Sequence, residues 1–199
     1  IPWIQAPSEG EAQCSYMCQK GFVFATGSQD ADSLLFGSPR LVRNLSVSGR
    51  KKLPGKESYI EVKPEMIELG KVLSELKITR EQLIIIGMLI GTDYNEGIKG
   101  VGPKTALKIV KEHKTLDKIL TEKEFPGEID IERVYNFFLN PPYTDKFELE
   151  WHAPEHDKLM RFMVAEHDFS RERIEKAVER LEILFGKGTQ SSLGSWVKR

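Results

Sequence analysis

Along the chain, apolar positions come first in short blocks of strand length and later recur at helical spacing. Residues 3–6 form a brief apolar run that reads as a strand. Ser8-Glu9-Gly10-Glu11 then has the form of a capping box and opens a helix expected to reach Lys20, where Gly21 stops it. Residues 22–26 read as a second buried strand, followed by the polar stretch 28–32 and a short helical turn through Leu35. Residues 41–47 and 59–62 are expected to pair as strands across a basic loop at 50–56. Pro64 suits the first position of a helix over 64–77. Thr79 caps the next helix, whose apolar stretch 83–90 ends at Gly91. A glycine-rich turn leads through Pro103 into a helix reaching His113, and further helices are expected over 130–139, 155–166 and 170–185. The order strand, helix, strand, short helix predicts an α/β fold with a mostly parallel sheet, followed by an all-helical second half. A small polar tail, expected to be flexible, follows Gly186.

Composition changes this picture little. Of 199 residues, 40% are hydrophobic and 30% charged, which fits a globular protein. The apolar stretch 83–90 is far shorter than the roughly 20 residues needed to cross a bilayer, so no membrane span is expected. The N-terminus has no basic or apolar signal segment; it lacks an initiator Met and opens inside an apolar run, which suggests a missing upstream part. Cys14 and Cys18 stand four apart on one expected helix, without further ligands nearby for zinc, and read as buried free thiols of a reducing compartment.

Net charge is −1, so any affinity for nucleic acid has to come from local zones. Residues 38–56 carry six basic residues (Arg40, Arg43, Arg50, Lys51, Lys52, Lys56) and no acid. Residues 99–118 carry six lysines against Glu112 and Asp117. Such runs are commonly just solvated faces, but they also suit phosphate contacts.

The acids are more informative. Glu9 and Glu11 fall in the first turn of a helix after a strand, and Asp30 and Asp32 fall just past the next strand. A fifth acid, Asp93, lies in Gly91-Thr92-Asp93-Tyr94-Asn95. In open parallel sheets ligands bind at the edge where strands end and helices begin. Acids converging there repel one another and need cations, and Mg²⁺, a hard ion content with carboxylates and water, fits that need. Singly, each acid has a plainer role: Glu11 in a capping box, Glu9 favouring the helix dipole, Asp30 or Asp32 in a turn. The occurrence of two pairs, each at a strand's end, favours the metal site.

Gly97-Ile98-Lys99-Gly100-Val101-Gly102-Pro103-Lys104-Thr105-Ala106 reads as a hairpin between helices. Its glycines let the backbone approach a phosphate, and Pro103 opens a helix whose free N–H groups face an anion. Lys99, Lys104 and Lys108 add charge to the same side. In the tail, Gln190, Leu193 and Trp196 recur every three residues, so one helical turn would set Leu193 and Trp196 on one face as an anchor.

Three segments together carry a resemblance. Ala6-Pro7-Ser8-Glu9-Gly10-Glu11-Ala12-Gln13, Gly27-Ser28-Gln29-Asp30-Ala31-Asp32-Ser33-Leu34-Leu35-Phe36-Gly37 and Gly91-Thr92-Asp93-Tyr94-Asn95 resemble, in order, motifs of the C-terminal half of flap endonucleases, closest in their archaeal form. The resemblance implies the C-terminal half of a PIN-like nuclease core over residues 1–78. A helix-hairpin-helix region over 79–186 and a clamp-binding tail over 187–199 would follow. It assigns Glu9, Glu11, Asp30, Asp32 and Asp93 to a site holding two Mg²⁺ ions, with Mn²⁺ as a substitute. The implied activity is cutting of 5′ flaps and 5′–3′ exonuclease action on branched DNA. It assigns Lys99, Gly100, Gly102, Lys104, Thr105 and Lys108 to the duplex, and Phe169 and Arg173 to a pocket for a one-nucleotide 3′ flap; in residue terms Phe169 could equally staple a helix capped by Ser170. A K⁺ ion is implied at the hairpin; relatives often carry a hydroxyl residue where Gly97 stands, so here it would rest on carbonyls and water. Gln190, Leu193, Trp196 and Val197 resemble a sliding-clamp box, with Val197 in place of a second aromatic. Two further aspartates and a helical arch belong to an N-terminal half of the family that this chain does not contain, so the chain alone is expected to be weakly active or inactive. A cytoplasmic location is implied for an archaeal-type protein. The alternative is a non-catalytic module that binds DNA and the clamp with its acids inert.

Overall fold

The computed structural model describes residues 2–46, 49–52, 55 and 57–186. It divides into two compact units, Gln5–Asp145 and a second drawn from the remaining residues at either end. The first unit is a mixed α/β body. Its elements in order are α1 (Gly10–Gln19), β1 (Thr26–Gly27), α2 (Asp32–Leu35), β2 (Arg40–Arg43), β3 (Gly49–Lys52), β4 (Tyr59–Val62) and β5 (Glu65–Glu68). The helices α3 (Leu69–Leu76), α4 (Arg80–Ile90), α5 (Pro103–His113), α6 (Leu116–Leu120) and α7 (Ile131–Leu139) follow.

A three-stranded sheet runs in the order β1-β2-β5, with β1 parallel and β5 antiparallel to the central β2. Leu41 is fully buried there, opposite Thr26 and Ile67, and packs with Leu34 and Leu69. β3 and β4 form a separate antiparallel hairpin.

The main core lies among the helices. α4 is apolar on nearly every side, the pattern of a helix enclosed by others. Its Ile84, Ile85, Met88 and Leu89 are buried against Ala106 and Val110 of α5, Ile119 of α6 and Phe138 of α7. Burial of each such large side chain is worth about 1.5–3 kcal/mol. The helix starts where expected. The Thr79 side chain accepts from the Gln82 N–H at 3.3 Å, while Gln82 Oε1 accepts from the Thr79 N–H at 3.0 Å. Asp130 likewise accepts from the Arg133 N–H and starts α7.

Several expectations are corrected. Residues 3–6 form no strand, and Trp3 is 80% exposed. Of the run 22–26 only Thr26 is in a strand, and Phe22 is exposed. Apolar content alone does not make a strand; a strand needs a hydrogen-bonding neighbour, and within the sheet β1 pairs only with β2. The expected pairing of 41–47 with 59–62 is replaced by two others, β2 with β5 and β3 with β4, so part of the basic loop is itself a strand. Residues 65–68, expected to be helical, are therefore β5, and the helix opens only at Leu69. The sheet is mixed rather than mostly parallel. Cys18 is buried as expected, but Cys14 is exposed; both are free.

The second unit holds α8 (His156–Met160), a π-helical turn over Arg161–Glu166 and α9 (Arg171–Gly186). Met160 of α8 and Val178 of α9 are buried. Between them Asp168 takes a left-handed conformation (φ 56°), and the Phe169 N–H donates to the Met163 carbonyl at 2.9 Å. None of the described helices is long and apolar enough to cross a membrane.

Candidate metal centre and nucleic-acid interface

α1 brings two acids to one end of the first unit. Glu9 is the residue just before the helix, in extended conformation, and Glu11 sits in its first turn. The expected capping box does not form, because no side chain caps α1. Glu11 is engaged elsewhere: the Ser28 hydroxyl donates to its Oε1 at 3.1 Å.

β1 delivers the second pair. Past its end, Ser28 Oγ accepts from the Asp30 N–H at 3.1 Å, and Asp30 Oδ1 accepts from the Asp32 N–H at 3.1 Å. Asp32 is thereby set as the first residue of α2. The far end of α2 is gripped as well. Gln19 donates to the Phe36 and Gly37 carbonyls, and Arg80 Nε donates to the Leu35 carbonyl at 3.0 Å.

Asp93 arrives on a tight turn after α4. Thr92 and Asn95 exchange backbone hydrogen bonds, and the Thr92 hydroxyl donates to Asn95 Oδ1 at 2.8 Å. Asn95, 4% exposed, anchors the turn by donating to the Met88 carbonyl at 2.8 Å. Next to Asp93, the Tyr94 ring packs on Phe137 and Phe138 and its hydroxyl donates to Glu9 Oε1 at 2.5 Å. Burial first, then the hydrogen bond and charge of Glu9, hold this phenol far above its ordinary pKa, so it remains a donor.

One carboxylate oxygen from each of Asp30, Asp32 and Asp93 lies within 4.8 Å of the other two. Glu9 and Glu11 are not in that trio but are tied to the loops that carry it, and their charges act on Asp32. Burial, then Asp30, Asp93, Glu11 and Glu9 in that order, push Asp32 up to about 6. Burial and the four neighbouring acids both disfavour the charged carboxylate here. An all-oxygen donor set with surplus negative charge fits a hard divalent cation such as Mg²⁺.

The hairpin residues belong to the same unit. Lys99, Gly100, Lys104, Thr105 and Lys108 are exposed, and Gly102 precedes α5 with no side chain capping the helix. Gly100 takes a left-handed conformation (φ 82°). Gly97 has a different reason to be glycine. A Cβ there would stand 1.9 Å from the Ile90 carbonyl oxygen, so no residue with a side chain could sit on this backbone course. Phe169, 48% exposed, and Arg173, also exposed, lie in the second unit. The clamp-box residues Gln190, Leu193, Trp196 and Val197 lie outside the described residues.

Sequence reasoning missed Tyr94 and Ser28, although both stand inside motifs that it quoted. It also missed Gln13, whose buried amide donates to the Thr144 carbonyl and accepts from the Thr144 N–H, both at 2.8 Å. Tyr16 stacks on Tyr143 beside this clasp, with centroids 3.8 Å apart. Partners 131 residues away leave no local signal.

The XPG I-region family profile matches residues 1–93. The Flap endonuclease 1 of Staphylothermus marinus is 55% identical over 203 residues, covering 98% of this chain and 57% of that protein. The Flap endonuclease 1 of Ignicoccus hospitalis is 60% identical over 181 residues, covering 91% and 52%. The solved structure of flap endonuclease-1 from Methanococcus jannaschii superposes with a TM-score of 0.78 at 39% identity, over 95% of this chain and 55% of that one. The chain thus spans a little over half the length of the relatives it matches. The three acid-bearing segments are linked by hydrogen bonds and the aspartate trio, and nearly the whole chain is similar in sequence and structure to just over half of each of these flap endonucleases.

Proposed function

We propose that the chain is the C-terminal half of a structure-specific 5′ flap endonuclease and 5′–3′ exonuclease, which hydrolyses phosphodiester bonds of branched DNA in replication and repair. The observation that carries this is the meeting of Asp30 and Asp32, from one segment, with Asp93, from another, within 4.8 Å. Asp30, Asp32 and Asp93 would hold Mg²⁺, with Glu9 and Glu11 alongside, some through water. A pair of such ions supplies an activated hydroxide and stabilises the leaving oxygen. The carboxylates hold charge and do not themselves attack the phosphate.

The chain's other residues grip DNA. The uncapped start of α5 and the exposed Lys99, Lys104 and Lys108 favour sequence-independent phosphate contacts at Gly100, Gly102 and Thr105. Phe169 and Arg173 serve a 3′ flap pocket, and a K⁺ ion at the hairpin would rest on carbonyls and water. Gln190, Leu193, Trp196 and Val197 tether the protein to a sliding clamp; Trp196→Ala is expected to abolish clamp binding, and unchanged calorimetric affinity would remove that assignment.

Because the resemblance places two further aspartates and the flap-threading arch in another part of the relatives, this chain supplies one share of the site. The test is cleavage of a 5′-flap substrate with Mg²⁺, by the chain alone and with a supplied N-terminal half. Activity only in the combined sample is expected; robust cleavage by the chain alone would sink the shared-site reading. Unchanged Mg²⁺ binding by Asp30→Ala would instead favour a module that binds DNA with inert acids.

A further inference from the structure

Five carboxylates gathered at one end of a unit repel one another, so something has to fix where each one points. The aspartates are short, and the segments that carry them hold hydrogen bonds of their own. Glu9 and Glu11 are longer, stand at a helix start that no side chain caps, and have more torsions to lose. Each accepts a hydrogen bond from one hydroxyl, and the two hydroxyls come from different loops.

We propose that Ser28 and Tyr94 are positioning residues: their hydroxyls fasten Glu11 and Glu9 to the two aspartate-bearing loops and so set the glutamates' presentation to the cation. This rests on the cation-site reading given above. Ser28 is directed from both sides. Its oxygen accepts from the Asp30 N–H at 3.1 Å, which turns its one proton toward Glu11 Oε1 at 3.1 Å. Asp30 in turn accepts from the Asp32 N–H, so one hydrogen-bonded path runs from α1 to the start of α2. Tyr94 is fixed by packing instead. Its ring lies 4.9 Å from that of Phe137 and 5.5 Å from that of Phe138, and it follows Asp93 directly in the chain. Movement of either aspartate loop therefore carries a glutamate with it.

The chemistry of the donors suits this task. A lysine or arginine would also hold a carboxylate, but its charge would compete with a divalent cation. A hydroxyl satisfies one oxygen and leaves the negative charge in place. Both bonds go to Oε1, and among the described residues no side chain bonds Oε2 of either glutamate. Ligand-orienting partners of this kind typically change metal affinity 10- to 100-fold when removed.

The experiment is calorimetric titration with Mn²⁺ alone of the parent chain, Ser28→Ala, Ser28→Thr and Tyr94→Phe. Tyr94→Phe keeps the packed ring and Ser28→Thr keeps the hydroxyl, so both are expected to melt with the parent. Tyr94→Phe and Ser28→Ala should each bind Mn²⁺ about 10-fold more weakly. Ser28→Thr should recover to within about 3-fold of the parent. Duplex binding without cation, which depends on the hairpin lysines, should be the same in all four. Parental Mn²⁺ affinity in Tyr94→Phe and Ser28→Ala overturns the positioning role while the cation site stands. A Ser28→Thr protein no better than Ser28→Ala shows that the hydroxyl is not the cause and overturns it too. No Mn²⁺ binding by the parent removes the cation site and this inference together.

Discussion

Burial acts on Asp32 before any neighbour does, and Asp30, Asp93, Glu11 and Glu9 then add to it, taking its carboxyl from 3.8 up to about 6. The folded state therefore binds this proton more tightly than the unfolded state. Stability contributed here falls as pH rises from about 4 to about 6, and the deficit is complete above that. Asp32→Asn should thus raise the metal-free stability at pH 8 by about 1 kcal/mol, a figure reduced because solvent still reaches this half-buried group. Urea unfolding of parent and variant at pH 8 and pH 4 checks this; a gain equal at both values would contradict it. The same proton competes with a cation, so Mn²⁺ affinity of the parent should weaken as pH drops below about 6. Asp30, Asp32 and Asp93, which the structure brings together, were legible in the sequence, since each stands in a short motif next to the end of an element. Ser28 and Tyr94 were not, because a hydroxyl shows its purpose only through its partner, and Glu9 is 85 residues from Tyr94.

Three helix starts with local signals were read correctly, while the capping-box pattern at Ser8 and the helix start at Pro64 were not borne out. α4 has Thr79 and Gln82, α5 has Pro103 and α7 has Asp130, all local signals within a turn of the helix start. Strands carry no such marks. Residues 65–68 became β5 because β2 lies beside them, whereas residues 22–25 are in no strand. The hairpin between α4 and α5 shows the same contrast in its glycines, which all looked alike as phosphate-approach residues. Gly97 is needed because the Ile98 N–H donates to the Leu89 carbonyl at 2.9 Å, folding the chain back onto the end of α4. Gly102 has open space around the Cβ position and an ordinary extended backbone. Gly97→Ala should therefore cost about 3 kcal/mol or more through forced backbone movement. Gly102→Ala should leave the melting temperature within about 2–3 °C and weaken duplex binding. Equal melting temperatures for the two variants would refute this division of roles.

At the scale of the whole molecule, charge balance and the proposed DNA ligand pull apart. Net charge is −1, and an acidic trio is concentrated at the end of one unit, so the average field does not draw DNA in. Affinity has to come from countable phosphate contacts, and such contacts leave a measurable trace in the salt dependence. Each neutralised phosphate contributes about −0.9 to the slope of log K against log salt concentration for duplex DNA. Lys99, Lys104 and Lys108 are exposed, and among the described residues none is paired with an acid, so their charge is available for phosphate. Replacing the three by alanine should make the slope shallower by about 2.7 and weaken binding alike across sequences, since no base edge is read. Stability should hardly change, because these side chains bury nothing. The measurement is fluorescence anisotropy on a plain duplex over a range of KCl concentrations, without divalent cation, for the parent and the triple variant. If the variant binds more weakly but with the parent's slope, the lysines act through structure rather than through phosphate. The duplex grip would then have to be sought away from the α5 hairpin, for example at Arg173 in the second unit.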